Sequence, residues 1–112
     1  MTTPYTPDRG DLIWLSFDPQ SGHEQAGRRP APVLSPKSYK AASGLALICP
    51  ITNRIKGYPF EVVLPVGMAI TGAVLADHVK SLDWQARRAV YADAAPDTVL
   101  NEVIQKLDLL LR

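Results

Sequence analysis

The stretch DLIWLSFD, residues 11–18, decides the fold. Ile13, Leu15 and Phe17 recur at every second position with Leu12, Trp14 and Ser16 between them, the period of a β-strand that buries one face. Working outward, APVLS at 31–35 is a shorter apolar run, and Pro32 within it predicts a sheet edge or the first residues of a strand. LALICPIT at 45–52 and PFEVVLP at 59–65 read as two further strands, separated by NRIKGY, whose Gly57 supplies turn chemistry. A fifth strand is expected near Ala73 to His78. Short strands, frequent prolines and no alternating helices indicate a mainly β (α+β) chain, a small antiparallel barrel or sandwich. The end of the chain changes period. After Pro96, residues Val99, Val103, Leu107 and Leu111 recur every four positions with Leu100, Ile104 and Leu110 beside them, which predicts an amphipathic helix packed on the sheet. Short helical turns are expected at Lys37 to Ala42 and from Ser81 in SLDWQARR.

At 112 residues the chain is the size of one domain, 1–112, and 46% apolar with 21% charged residues is the balance of a folded protein. The apolar runs at Met68 to Leu75 and Leu109 to Leu111 fall short of the roughly 20 residues a membrane helix needs. MTTPYTPDRGD lacks the pattern of a secretory signal, so the expected location is cytoplasmic. Cys49 has no second cysteine to pair with and reads as a small buried side chain in a strand. No Cys/His cluster at ligand spacing suggests a metal, and no cofactor motif is present. The formal charge of +1 is unevenly spread: residues 1–18 and 93–112 each carry −2, and the middle carries +5. Cations gathered in the loop-rich middle favour a polyanionic partner.

Phosphate loops, His-Glu-x-x-His runs and serine elbows are missing, which excludes most familiar enzymes. What stands out is GHEQAGRRPAPVLSP at 22–36. The connection from Asp18 to Pro30 spans 13 residues, long for a hairpin, and places Arg28 and Arg29 just before the stiff Pro30. A guanidinium held there matches phosphate in geometry, and a structural ion pair is the equally weighted alternative.

The order GDLIWLSFDP, EQAGRRPAPVLSP, CPIT, KGYPFEVVL and ADHVKSLDW resembles the MazF/PemK type of toxin endoribonuclease over nearly the whole chain. The resemblance implies an SH3-like or plasmid-toxin-type barrel with a C-terminal helix, acting as a homodimer. It also implies ribosome-independent, metal-free cleavage of single-stranded mRNA, and neutralisation by a MazE-like antitoxin with an acidic tail. By position, Arg29 looks like the catalytic arginine, Thr52 like the catalytic hydroxyl, and Glu24 and Gln25 like loop residues that support or contact the substrate. Arg28, Arg54, Lys56 and Lys80 are the implied phosphate contacts. Tyr58, Trp14 and Phe17 are aromatic candidates for stacking or the dimer interface, with burial the favoured reading of the last two.

Two positions depart from the family pattern. Pro32 stands where a backbone donor is usual, and His78 stands where ADQ is common, which makes His78 an RNA contact or a titrating group. Arginine is a poor base, because its pKa lies above about 12. Arg29 is therefore assigned to charge stabilisation, with Glu24 as the candidate base and His23 or His78 in reserve. Two other readings stay open: a gyrase-directed toxin of the CcdB kind, and an RNA-binding member without activity. The helix end Leu109-Leu110-Leu111-Arg112 reads as packing rather than as a presented epitope.

Overall fold

The computed structural model describes residues 5–17 and 27–112. Within them the order is β1 (Asp11–Ser16), β2 (Arg28–Pro32), α1 (Lys37–Ser43), β3 (Ala46–Ile48), β4 (Ile51–Thr52), β5 (Glu61–Val63), β6 (Ala73–Leu75), β7 (Lys80–Leu82), β8 (Val90–Ala94) and α2 (Asp97–Leu111). A 3₁₀ turn, Ala76–His78, joins β6 to β7. All ladders are antiparallel, and they form three small sheets, β2-β1-β8, β3-β7 and β4-β6-β5, rather than one closed barrel among the described residues.

The alternation of β1 sorts its side chains between two cores. Leu12 packs with Cys49, Ile51, Val62 and Val74 against Val99, Leu100 and Val103 of α2. Ile13, Leu15 and Phe17 pack with Ala31, Val33, Ala46 and Ile48. Phe17 is buried as expected, whereas Trp14 is 37% exposed. Its neighbour across the strand, Val90, is 54% exposed, so the Leu12 face of β1 emerges into solvent at that end.

The prolines of β2 explain why the sheets stay separate. Val33 donates its N–H to Asp11 C=O beside β1 (2.8 Å), while Leu34 donates to Leu47 C=O beside β3 (2.8 Å). Alternation then turns the even-numbered nitrogens, those of Pro30 and Pro32, toward β3 and β4, and neither has a hydrogen to give. Strand β2 runs beside β4, but the ladder is reduced to an isolated bridge, Val33 to Ile48. Pro32 thus lies at a sheet edge, as the sequence predicts, in a strand that begins three residues earlier than the apolar run.

LALICPIT is not one strand. Ile48 pairs with Lys80 of β7 and Ile51 with Val74 of β6, so the break at Cys49-Pro50 passes the chain from one sheet to another. The helical turn expected at Ser81 is replaced by β7 and a compact turn at 84–88, because Ala46 and Leu82 pair across β3 and β7 within reach of the second core. Strand β8, VYADA, has no apolar alternation to announce it: its two large side chains, Val90 and Tyr91, are both exposed. The C-terminal helix forms as predicted behind Pro96, whose carbonyl accepts from Val99 and Leu100 N–H. Its last turn does not pack, however. Leu109 and Leu111 are 71% and 75% exposed, since only Val99, Leu100, Val103 and part of Leu107 face the core.

Candidate active site

Arg29 lies on β2 opposite Leu15 of β1, half-buried and engaged within the fold. The bridge Val33–Ile48 and the Leu34–Leu47 hydrogen bond share one antiparallel register. Continued toward the start of β2, that register sets Arg29 opposite Thr52, the last residue of β4, with both on the face that carries Val33 and Ile48. In an antiparallel pair, opposed side chains on one face come within a few ångströms, roughly 5 Å between Cβ atoms. The sequence-predicted arginine and hydroxyl therefore meet across the proline seam, although they come from different sheets.

Thr52 is 6% exposed, and its Oγ1 accepts the Arg54 N–H at 3.1 Å. A hydroxyl has one hydrogen to donate, so this arrangement occupies an acceptor position and leaves the O–H able to donate. Gly72 fixes where Thr52 sits. With φ +125 it passes so close to β4 that an added Cβ would stand 2.5 Å from the Thr52 carbonyl oxygen.

Beyond Thr52 the chain enters a loop, 53–60, on which Arg54, Lys56 and Tyr58 are all exposed. Sequence reasoning missed what shapes it. Glu61, the first residue of β5, turns its carboxylate back so that Oε1 accepts N–H bonds from Lys56 (3.2 Å), Gly57 (2.9 Å) and Tyr58 (3.2 Å). Gly57, at φ +74, gives the bend that lets three successive amides converge. From the other side Lys106 of α2 donates to Pro59 C=O at 2.5 Å. The signal in the sequence was the lone carboxylate in KGYPFEVVL, a charge without obvious use at the start of an apolar strand. Replacing Glu61 with Ala leaves those amides to water, which costs about 1–3 kcal/mol and loosens the cationic loop. The expected result is a lower Tm and a roughly tenfold higher KM for RNA; Glu61→Gln, which keeps a carbonyl oxygen at Oε1, should fall between.

His78 ends the 3₁₀ turn, half-buried, and Lys80 is paired opposite Ile48 and engaged within the fold. Arg28 is exposed at the start of β2, and its Nη2 donates to Arg88 C=O at 2.9 Å. Glu24, Gln25 and His23 lie outside the described residues. Cys49, beside the seam, is fully buried; burial, reinforced by the charge of Asp77, pushes its thiol up to about 12. It stays protonated at neutral pH and donates weakly to Ala76 C=O at 3.7 Å, a packing role rather than a nucleophile's.

Residues 8–111 match the family model described as the PemK-like, MazF-like toxin of type II toxin-antitoxin systems. The chain belongs to that family. It is 48% identical over 111 residues to the endoribonuclease toxin MazF of Escherichia coli K12, with 99% of each chain covered. It is 33% identical to the Escherichia coli endoribonuclease PemK, covering 93% of this chain and 81% of the relative. Among solved structures, MazF from Deinococcus radiodurans superposes with a TM-score of 0.93 at 57% identity, over 96% of this chain and 98% of the other. A MazE-MazF complex from the same organism gives 0.85 at 52%, over 96% and 97%. Family membership fits the mostly antiparallel fold with its C-terminal helix. Among the described residues no helix is long and apolar enough to cross a membrane.

Proposed function

We propose that this member of the MazF-like family is an endoribonuclease toxin that cuts single-stranded RNA without a metal and is held in check by a MazE-like antitoxin. The observation that carries the reading is the register that sets Arg29 opposite Thr52, at a seam bordered by the exposed Arg54, Lys56 and Tyr58. In such a cleavage the ribose 2′-oxygen forms a bond to phosphorus and the bond to the 5′-oxygen breaks. The products are a 2′,3′-cyclic phosphate and a 5′-hydroxyl. One proton must leave the 2′-hydroxyl and one must reach the departing oxygen, while extra negative charge gathers on the phosphoryl oxygens.

Arg29 is suited to the third task, since its fork stays cationic at any working pH. Thr52, sheltered at the floor of the site, donates its O–H to a phosphoryl oxygen and fixes the phosphate for in-line attack. Glu24 is the proposed base, with His23 or His78 as the other titrating groups available. Arg28, Arg54, Lys56 and Lys80 hold neighbouring phosphates; Tyr58 stacks on a base, Gln25 contacts one, and His78 reads another. The protein acts as a homodimer in this reading, which the exposed apolar groups Leu109, Leu110, Leu111, Trp14 and Val90 support.

The test is digestion of a long single-stranded RNA in the presence of EDTA, with mapping of the cut ends and an Arg29→Ala control. Cuts at one short sequence, bearing 5′-hydroxyl ends and absent in the control, are expected. Intact RNA across several sequences would overturn the reading and direct attention to a protein target.

A further inference from the structure

We infer that Arg28 and Arg88 together form a second phosphate subsite, which holds the RNA backbone beside the nucleotide being cut. The inference rests on the ribonuclease reading above and adds a residue, Arg88, that the sequence analysis left unassigned.

Arg88 is the one non-glycine residue with positive φ among those described, at +57. Glycine takes that conformation without steric cost, so a long cation there is a local disadvantage that an outlying function can explain. The turn that imposes it is tightly built. Arg87 N–H bonds to Asp83 C=O, Arg88 N–H to Gln85 C=O and Ala89 N–H to Trp84 C=O, at 2.9–3.1 Å, and Asp83 Oδ1 accepts from Ala86 N–H at 3.0 Å. The turn is then clamped to β1 from both directions. Ser16 donates its N–H to Arg87 C=O (3.0 Å), and Arg87 Nη1 donates to Ser16 C=O (3.1 Å).

Ser16 is also the cross-strand partner of Arg28. The Arg28 guanidinium spends one nitrogen on Arg88 C=O, which brings the two exposed arginines together at the end of the sheet from which Arg29 projects. No described carboxylate pairs with either of them. Two like charges held side by side without a counterion repel each other until an anion bridges them. A phosphate accepts the remaining edges of both forks.

Successive side chains on β2 point to opposite faces, so Arg28 cannot share the phosphate that faces Arg29. It serves an adjacent one, with the strand wrapped around the sheet end. An acidic polypeptide would also feel these charges, but it lacks the tetrahedral oxygens at every repeat that two planar forks can grip.

The experiment measures binding of a labelled single-stranded RNA in an Arg29→Ala background, where the RNA stays intact, over about 50–200 mM salt. Removing one phosphate contact lowers the slope of log K against log salt by about 0.7. Arg88→Gly in that background should show this change, with roughly five- to tenfold weaker binding at 100 mM salt. Its Tm should not fall, because glycine accepts the turn. Arg88→Lys keeps the charge and should recover most of the slope.

An unchanged slope and affinity in Arg88→Gly, from a protein whose unmutated form cleaves RNA, would overturn the subsite alone. If only the affinity for a polyglutamate peptide drops, the pair belongs to a protein interface and the RNA subsite is equally overturned. An unmutated protein that neither cuts nor binds RNA sinks both this inference and the reading beneath it.

Discussion

Arg29→Lys is expected to lower kcat/KM for RNA cleavage by about 10²- to 10³-fold, while the protein keeps its fold. The charge survives, but lysine presents a single rotating point donor where arginine presents a rigid fork. On a strand whose neighbour Pro30 is fixed in φ, the shorter ammonium cannot swing to place two hydrogen bonds on developing oxyanion charge. Loss of one such preorganised donor is worth about 2.7–4 kcal/mol in other enzymes, which corresponds to the stated range. Steady-state cleavage of a short RNA containing the target word would read it directly. Activity within a few-fold of the unmutated protein would mean that Arg29 acts only as a distant charge.

Gly72→Ala should be the most damaging single methyl in the molecule. The residue sits at φ +125, a region L-residues rarely enter, and its Cβ would stand 2.5 Å from Thr52 O, with Ile51 Cγ2 at 3.0 Å. The clash is with backbone, so no rotamer change relieves it; β4 or β6 must move. A cost of about 3 kcal/mol or more is expected, lowering Tm by roughly 10–20 °C in a domain of this size. Because the displaced strand carries Thr52, cleavage should fall even at temperatures where the variant is folded. Circular dichroism melts combined with an activity assay at low temperature would separate the two effects. A variant with unaltered Tm would show that the β4–β6 approach is looser than the coordinates have it.

What could be read in advance follows from which forces leave a local trace. Strand β1 and helix α2 were legible because each buries a stripe, and burial imposes a period on the sequence. Strands β7 and β8 were not, since KSL is too short to show a period and VYADA turns its large residues outward. The division of LALICPIT between two sheets depends on partners distant in sequence, which no window on the run contains. For the site, Arg29 and Thr52 came from the resemblance. Their meeting could not be foreseen from the chain alone, because it depends on a register set by Val33 and Ile48. Glu61 was hidden for another reason: it acts on backbone amides, and a carboxylate used that way looks like any surface charge.

The proline seam between β2 and β4 bears on how the molecule fails. Sheets zipped by amide ladders open together, in one cooperative step, but Pro30 and Pro32 deny the seam most of its ladder. The arginine and the hydroxyl are thereby assigned to two units that can loosen separately, with their spacing set by side-chain packing in the Val33–Ile48 core beneath them. Warming, or a cavity made in that core, would detune the catalytic pair well before the chain unfolds, so thermal inactivation should run ahead of melting.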